Sequence, residues 1–308
     1  MNLTRRATLF AAAAAPFAPA ILRATPAQAE APLQGPAMAS FNRFALGGFE
    51  VTTLLAGTRT VEAPQGIFGM NVDADTFGSV SAANFLPTDR AQFFFTPTLV
   101  NTGAELVLFD TGLDAAGITA PLAAAGITPD QVDVVVITHM HGDHIGGLMG
   151  EAGPTFPNAR YVTGAVENNF WAAAADSGYD AQVRPLLEKV AFVDDGGSVA
   201  GGITAMAAFG HSPGHMAYRL ESNGAQLMIA ADTANHYVWS LAYPDWEVKF
   251  DADKAAAAAT RRALFGMLAA DRVPFIGYHM PFPGMGFVEA REDGFRYVPA
   301  SYQMMLQG

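Results

Sequence analysis

The stretch Thr138-His-Met-His-Gly-Asp-His-Ile-Gly-Gly147 follows the apolar run Val132-Asp-Val-Val-Val-Ile137 without a linker and gathers three imidazoles and a carboxylate within six residues. The run from Val134 to Ile137 is short and β-branched throughout, so it reads as a buried strand, and the paired glycines suit a tight turn into a helix. Ligand-type residues crowded at the C-terminal end of a strand mark a site in an α/β protein. On extended backbone His139 and His141 project the same way, whereas Asp143 and His144 lie past the turn and can face a second point. That spacing suits two metal ions better than one. A single His near a strand end is ordinarily a hydrogen-bonded core or surface residue. Burying three imidazoles and a carboxylate together without a cation would be costly, so the cluster points to metal.

The pattern His-x-His-x-Asp-His resembles the signature of the metallo-β-lactamase superfamily. The resemblance implies an α/β fold, an αββα sandwich of two mixed β-sheets flanked by helices. It also implies three more ligands, met here in the family's order: His211 in Phe209-Gly-His-Ser-Pro-Gly-His215, Asp232 in Ala230-Ala-Asp-Thr233, and His279 in Gly277-Tyr-His-Met-Pro281. His139, His141 and His211 would hold one ion, Asp143, His144 and His279 the other, with Asp232 bridging. The implied cofactor is two divalent ions, zinc foremost, with manganese, iron or cobalt as alternatives. Such a pair shares a water and lowers its pKa, and the resulting hydroxide attacks a carbonyl or phosphoryl centre; Asp143 and Asp232 are the implied catalytic carboxylates.

By the same resemblance, Asp110 in Asp110-Thr-Gly112 supports the metal loop without binding metal, where orienting carboxylates are expected. His211 is the implied ligand and His215 is packed behind it, with the reverse assignment left open. His236 reads as a rim residue or proton relay. Trp171 has two open readings, core aromatic or pocket aromatic, the second because its chain distance from the signature resembles that of the methyl parathion hydrolase branch.

That branch, which shares its layout with N-acyl-homoserine lactonases, gives the nearest resemblance. The supporting words are Gly214-His-Met-Ala-Tyr218, His279-Met-Pro-Phe-Pro-Gly-Met-Gly286 and Gly294-Phe-Arg-Tyr-Val-Pro299. The branch's full set of pocket aromatics is not matched, so the candidate substrates rank as lactones, aryl esters, then phosphotriesters. The 22 Phe and 13 Met fit an apolar pocket for a small neutral substrate. The expected function is an exported dinuclear hydrolase of neutral esters. The alternatives are a metallo-β-lactamase, which a periplasmic location favours, and a mononuclear-iron redox enzyme, which a full second ligand set disfavours.

The chain opens Met-Asn-Leu-Thr-Arg-Arg-Ala-Thr-Leu-Phe10, continues Ala-rich and apolar to about Ile21, and reaches Ala27-Gln28-Ala29. A basic start, a short apolar core and an A-x-A end make a secretory signal, of twin-arginine type from Arg5-Arg6. The run is too short to span a membrane stably. The expected divisions are a leader over 1–29 cleaved near Ala29, a flexible lead-in over 30–40, and one catalytic domain over 41–308. The twin-arginine machinery is then a partner and the product periplasmic or secreted, with a homodimer as the assembly to test. Cysteine is absent, so disulfides and thiolate ligands are excluded. Losing Arg5, Arg6 and Arg23 with the leader takes the formal charge from −12 to about −15. A chain this acidic repels nucleic acid and polyanions.

Along the rest, residues 42–46 and 49–55 read as a hairpin across Gly47-Gly48 and residues 57–90 as an irregular loop. Residues 91–100 and 104–109 read as strands, 115–126 as a weak helix, 160–162 as a strand, and 166–175 and 181–190 as helices. Strands are expected around the turn Asp194-Asp-Gly-Gly197. Asp251 is the expected cap of a helix over 252–270, 273–278 the strand delivering His279, and residues 287–298 a hairpin with an Asp-Gly turn.

Overall fold

In the computed structural model, which describes residues 32, 33 and 35–306, Val134–Val136 is a strand buried on both faces. Alternation sends Val134 and Val136 into one core and Val135 and Ile137 into another, as a covered parallel strand requires. It lies in a seven-stranded sheet ordered Phe41–Leu46, Phe49–Leu54, Thr98–Asn101, Leu106–Phe109, Val134–Val136, Arg160–Gly164 and Val190–Val193. The first four are antiparallel neighbours, and the last four run parallel. The second seven-stranded sheet is ordered Ser198–Ala200, Ile203–Ala207, Met216–Ser222, Ala225–Ala231, Phe275–Gly277, Met285–Ala290 and Phe295–Pro299. Its one parallel pair joins Ala225–Ala231 to Phe275–Gly277.

Val134, Val136 and Phe109 of the first sheet pack against Met216, Tyr218 and Ile229 of the second. Outside the first sheet, Ile118 and Leu122 of helix Ala115–Ala124 cover Val135 and Ile137. Outside the second, Leu264, Phe265 and Leu268 of helix Lys254–Asp271 cover Met228 and Phe275. Each such apolar side chain stabilises the fold by roughly 1.5–3 kcal/mol through burial. The result is the expected αββα sandwich.

Several elements differ from the sequence reading. Residues 57–90 are not an irregular loop: Gly57–Glu62 pairs antiparallel with Arg90–Phe95, and Ala74–Ala83 is a helix capped by Asp73, which accepts from Thr76 N at 2.7 Å. The ribbon is largely exposed on its first strand, so it carries little hydrophobic periodicity. The strand read over 91–100 breaks at Thr96-Pro97, where the chain leaves the ribbon for the first sheet; proline cannot donate to a ladder. The helix over 181–190 is instead helix Ser177–Gln182 followed by the 3-10 segment Arg184–Lys189, with Pro185 at the junction. The turn at 194–197 carries the chain from the first sheet's edge to the second's. Asp253, not Asp251, caps helix Lys254–Asp271, accepting from Ala256 N at 3.0 Å.

The leader and its cleavage point lie outside the described residues, among which no helix is long and apolar enough to cross a membrane.

Candidate metal centre

Four strands deliver the candidate ligands just beyond their ends. His139 and His141 follow Val134–Val136, and the one-turn helix Gly142–Ile145 adds Asp143 and His144. His211 follows Ile203–Ala207, Asp232 follows Ala225–Ala231, and His279 follows Phe275–Gly277. Two glycines permit the approach. A Cβ on Gly147 would collide with the Thr111 carbonyl, and one on Gly210, at φ +125°, with the backbone of Ala257.

The seven side chains converge. His141 Nδ1 lies 3.0 Å from both His139 Nε2 and His211 Nε2. One N–H···N hydrogen bond satisfies two of these nitrogens and leaves the third over, whereas ligands about 2.0–2.1 Å from a tetrahedral zinc stand about this close to one another. A second trio is Asp143, His144 and His279, with His279 Nε2 and His144 Nε2 at 3.3 and 3.5 Å from Asp143 Oδ2. Asp232 reaches both: Oδ2 is 3.4 Å from His211 Nε2 and 3.1 Å from His279 Nε2, and Oδ1 is 3.3 Å from His144 Nε2. His144 Nε2 and Asp232 Oδ1 are sealed from solvent and unpaired despite that proximity. Two buried polar atoms left in this state are what two ligands of one cation would be.

Outer contacts fix the rings. His211 Nδ1–H donates to Asp251 Oδ1 and His144 Nδ1–H to Asp110 Oδ2, each at 2.9 Å, while His279 Nδ1–H donates to the Phe94 carbonyl at 2.8 Å. Thr138 Oγ1 spends its proton on Asp110 Oδ2 at 2.8 Å, so it can only accept from His139 Nδ1–H, 3.2 Å away. In these four rings Nε2 is the nitrogen left facing inward, which is how orienting partners prepare ligands.

The carboxylates set the charge. Burial works against protonation of His144, but Asp232, Asp143 and Asp110 outweigh it and raise its pKa well above the ordinary value. The same contest, won by Asp232 and Asp143, lifts His279 to about 10. Burial opposes ionisation of Asp232 and Asp143, yet the His279 and His144 charges hold Asp232 well below its usual value and bring Asp143 to about 2. Burial, with the His144 charge next, keeps His139 far below its ordinary value; burial and then His211 bring His141 to about 3. His139 and His141 thus stay neutral imidazoles, and the second trio attracts positive charge. Both donor sets, nitrogen and oxygen without sulfur, fit a divalent ion such as zinc.

His215 stands apart. Its Nδ1–H donates to the Ala208 carbonyl and its Nε2 accepts from Asp232 N, both at 3.1 Å, so no lone pair remains for a metal. Asp110 sits at φ +60° and accepts from Thr138 N, Thr138 Oγ1 and His144. Trp171 stands edge-on to His141, ring centroids 5.7 Å apart, with its indole N–H given to Glu167 Oε1 at 2.7 Å; it touches the cluster from outside the cavity. His236 lies away from the cluster, in an adjoining cavity.

Two supporting residues, Glu167 and Arg261, escaped the sequence reading, and a third, Asp251, was read only as a helix cap. Glu167, fully buried, accepts from Met140 N and Trp171 Nε1 on one oxygen and from Ser212 Oγ and Gly214 N on the other. It therefore clamps the His139–His141 loop to the His211 loop. Asp251 pairs with the buried Arg261 at 2.9 Å, and Arg261 also donates to the Thr233 and Pro244 carbonyls. An Arg on the covered face of an Ala-rich helix was the only available sign of this pair.

Over the cluster lies a cavity of about 520 Å³. Phe93, Phe95, Phe250 and Leu113 wall it, Asp143 and His279 form part of its floor, and Arg59 stands at its exposed side.

These features agree with comparisons to known proteins. The metallo-beta-lactamase superfamily profile matches residues 96–275. The chain belongs to the metallo-beta-lactamase superfamily. The anti-Pycsar protein Apyc1 of Paenibacillus sp. (strain J14) is 42% identical over 59 residues, 18% of this chain and 22% of that one. The N-acyl homoserine lactonase AttM of Azorhizobium caulinodans is 33% identical over 135 residues, 39% of this chain and 49% of that one. Matches to these relatives, which also include ribonuclease Z proteins, span from 22% to 54% of their length. The structure of AidC, a dizinc quorum-quenching lactonase, superposes with a TM-score of 0.78 at 24% identity, over 86% of this chain and 98% of that one. At that identity the likeness is one of fold.

Proposed function

We propose that this chain is a dinuclear metal-dependent hydrolase of uncharged esters, with lactones first, then aryl esters and phosphotriesters. The observation that carries the reading is the convergence of seven His and Asp side chains, with the outer nitrogens of four rings already committed, beneath an apolar cavity. His139, His141 and His211 would hold one ion, Asp143, His144 and His279 the other, with Asp232 between. Two divalent ions, zinc foremost, would activate a water and polarise the scissile group. The protein's own part is then positioning. Phe93, Phe95 and Phe250 take the apolar body of the substrate and keep bulk water out. Asp143, with 23% of its side chain exposed, is the carboxylate placed to take a proton from the attacking water and return it to the departing alcohol. The lactonase names AttM and AidC support the choice of substrate class. Export by the twin-arginine route to the periplasm is part of the same proposal and rests on residues 1–29.

The test is elemental analysis of zinc-saturated protein followed by lactone, aryl-ester, phosphotriester and β-lactam substrates. About two ions per chain and turnover of the lactone or aryl ester are expected. One ion per chain removes the dinuclear reading, and turnover confined to the β-lactam replaces the ester reading. Fractionation and N-terminal sequencing of the native protein check export: a periplasmic product beginning near Glu30 is expected, and a cytoplasmic one with an intact leader refutes it.

A further inference from the structure

Beside the cavity over the cluster lies a second one, of about 410 Å³, and His279 lines both. Its walls include Phe94, Leu86, Ala91 and Trp239, and its one imidazole besides His279 is His236. His236 stands at the start of the π-helical segment Tyr237–Ala242, and its Nδ1 accepts from Val238 N and Trp239 N, both at 3.1 Å. The proton of the neutral ring must therefore sit on Nε2. The ring is held in place by stacking on Trp239, centroids 4.2 Å apart, and on Tyr237 at 4.7 Å. Nε2 has no acceptor among the described residues, yet it is not one of the sealed unpaired atoms, so it opens on the space the ring lines. Burial brings the ring's pKa to about 3, which keeps it a neutral donor.

We infer that His236 is a specificity-determining residue whose Nε2–H takes a hydrogen-bond acceptor, a carbonyl or ether oxygen, in the uncleaved part of an uncharged substrate lying in the second cavity. This rests on the proposed hydrolase reading and narrows it. The substrate is two-part: an ester or lactone at the cluster, and an apolar arm carrying an acceptor. An arm without one would leave a buried N–H unpaired.

The test uses zinc-saturated protein and two matched pairs of neutral aryl esters, with a ketone or a methylene at one position of the acyl chain in one pair and of the alcohol part in the other. Wild type should prefer the ketone roughly 3- to 10-fold in kcat/KM in one pair, the worth of a neutral hydrogen bond. His236→Asn keeps an oxygen to cap Val238 and Trp239 but lacks the distant N–H, and should lose the preference. His236→Gln can place an amide N–H near the Nε2 position while giving up the cap, and should keep the preference at lower stability. No preference in either wild-type pair, or one that survives in His236→Asn, overturns the inference. If wild type cleaves none of the four, the aryl-ester part of the hydrolase reading fails by itself. Calorimetric binding of the same compounds then decides: a ketone preference lost in His236→Asn upholds the donor, and equal or absent binding overturns it.

Discussion

Asp110 and Asp251 each accept a histidine Nδ1–H at 2.9 Å, the first from His144 and the second from His211. Asp110 closes strand Leu106–Phe109 of the first sheet, and Asp251 precedes the helix that covers the second. Their surroundings differ in kind. Apart from His144, the donors to Asp110 are the neutral Thr138 N and Oγ1, and burial, its largest influence, leaves its carboxyl above the usual range. Burial pushes Asp251 the same way, but the His211 hydrogen bond and the Arg261 charge outweigh it and hold that carboxyl low. One half of the centre is thus braced by a cage of hydrogen bonds and the other by a buried ion pair. A cage can lose charge and keep its shape, whereas a buried pair that loses one member strands the other.

The largest expected effect follows from that asymmetry. Asp251→Ala leaves the Arg261 guanidinium, 1% exposed, without its carboxylate, and should cost about 3–5 kcal/mol. The measurement is urea unfolding with chelator present, so that metal linkage does not enter. A loss under about 1 kcal/mol would show that the carbonyls of Thr233 and Pro244 suffice for Arg261, and the contrast between the halves would collapse.

Glu167→Gln comes next, since it tests the clamp between the two ligand loops. One amide nitrogen must face two donors that now point at a carboxylate oxygen. A stability loss of about 1–3 kcal/mol is expected, together with weaker zinc binding because the His139–His141 and His211 loops separate. Unchanged zinc affinity would make Glu167 a core residue only.

Asp110→Asn should be gentler on the fold and lower zinc affinity roughly 10- to 100-fold, through a misaligned His144. Competition with a chromophoric chelator reads it. Stability loss as large as that of Asp251→Ala would contradict the cage.

What could be read from the sequence followed the same asymmetry. The first half is local: His139, His141, Asp143 and His144 share one loop, and Asp110 ends a plain apolar strand, so spacing and resemblance located them. The second half assembles from residues 40 apart, His211 and Asp251, through an Arg on a covered helix face. Two aspartates, 251 and 253, stood before that helix, and only tertiary packing decides which caps it. Of the ribbon, Arg90–Phe95 was read as part of a strand, but its partner Gly57–Glu62 was invisible because its exposed residues leave no period to detect, and the ribbon supplies Phe93 and Phe95 to the cavity. Glu167, an acid within a helix, looks like solvated surface until the loops fold onto it.

The smallest expected effect asks whether the halves are independent. Asp110 and Asp251 share no hydrogen-bond partner: one serves Thr138 and His144, the other His211 and Arg261. With chelator present, the stability losses of Asp110→Asn and Asp251→Asn should therefore add to within about 0.5 kcal/mol in the double variant. Zinc binding is a different matter. On the proposed ligand assignment His144 and His211 hold different ions, but Asp232 approaches both rings, with Oδ1 3.3 Å from His144 Nε2 and Oδ2 3.4 Å from His211 Nε2. A shift of Asp232 toward one ion must be felt at the other, so the affinity losses should depart from additivity while the stability losses do not. Coupling above about 1 kcal/mol in the chelated protein would mean that the two braces move as one element before any metal binds. Additive affinity losses would instead remove Asp232 as the link between the two points.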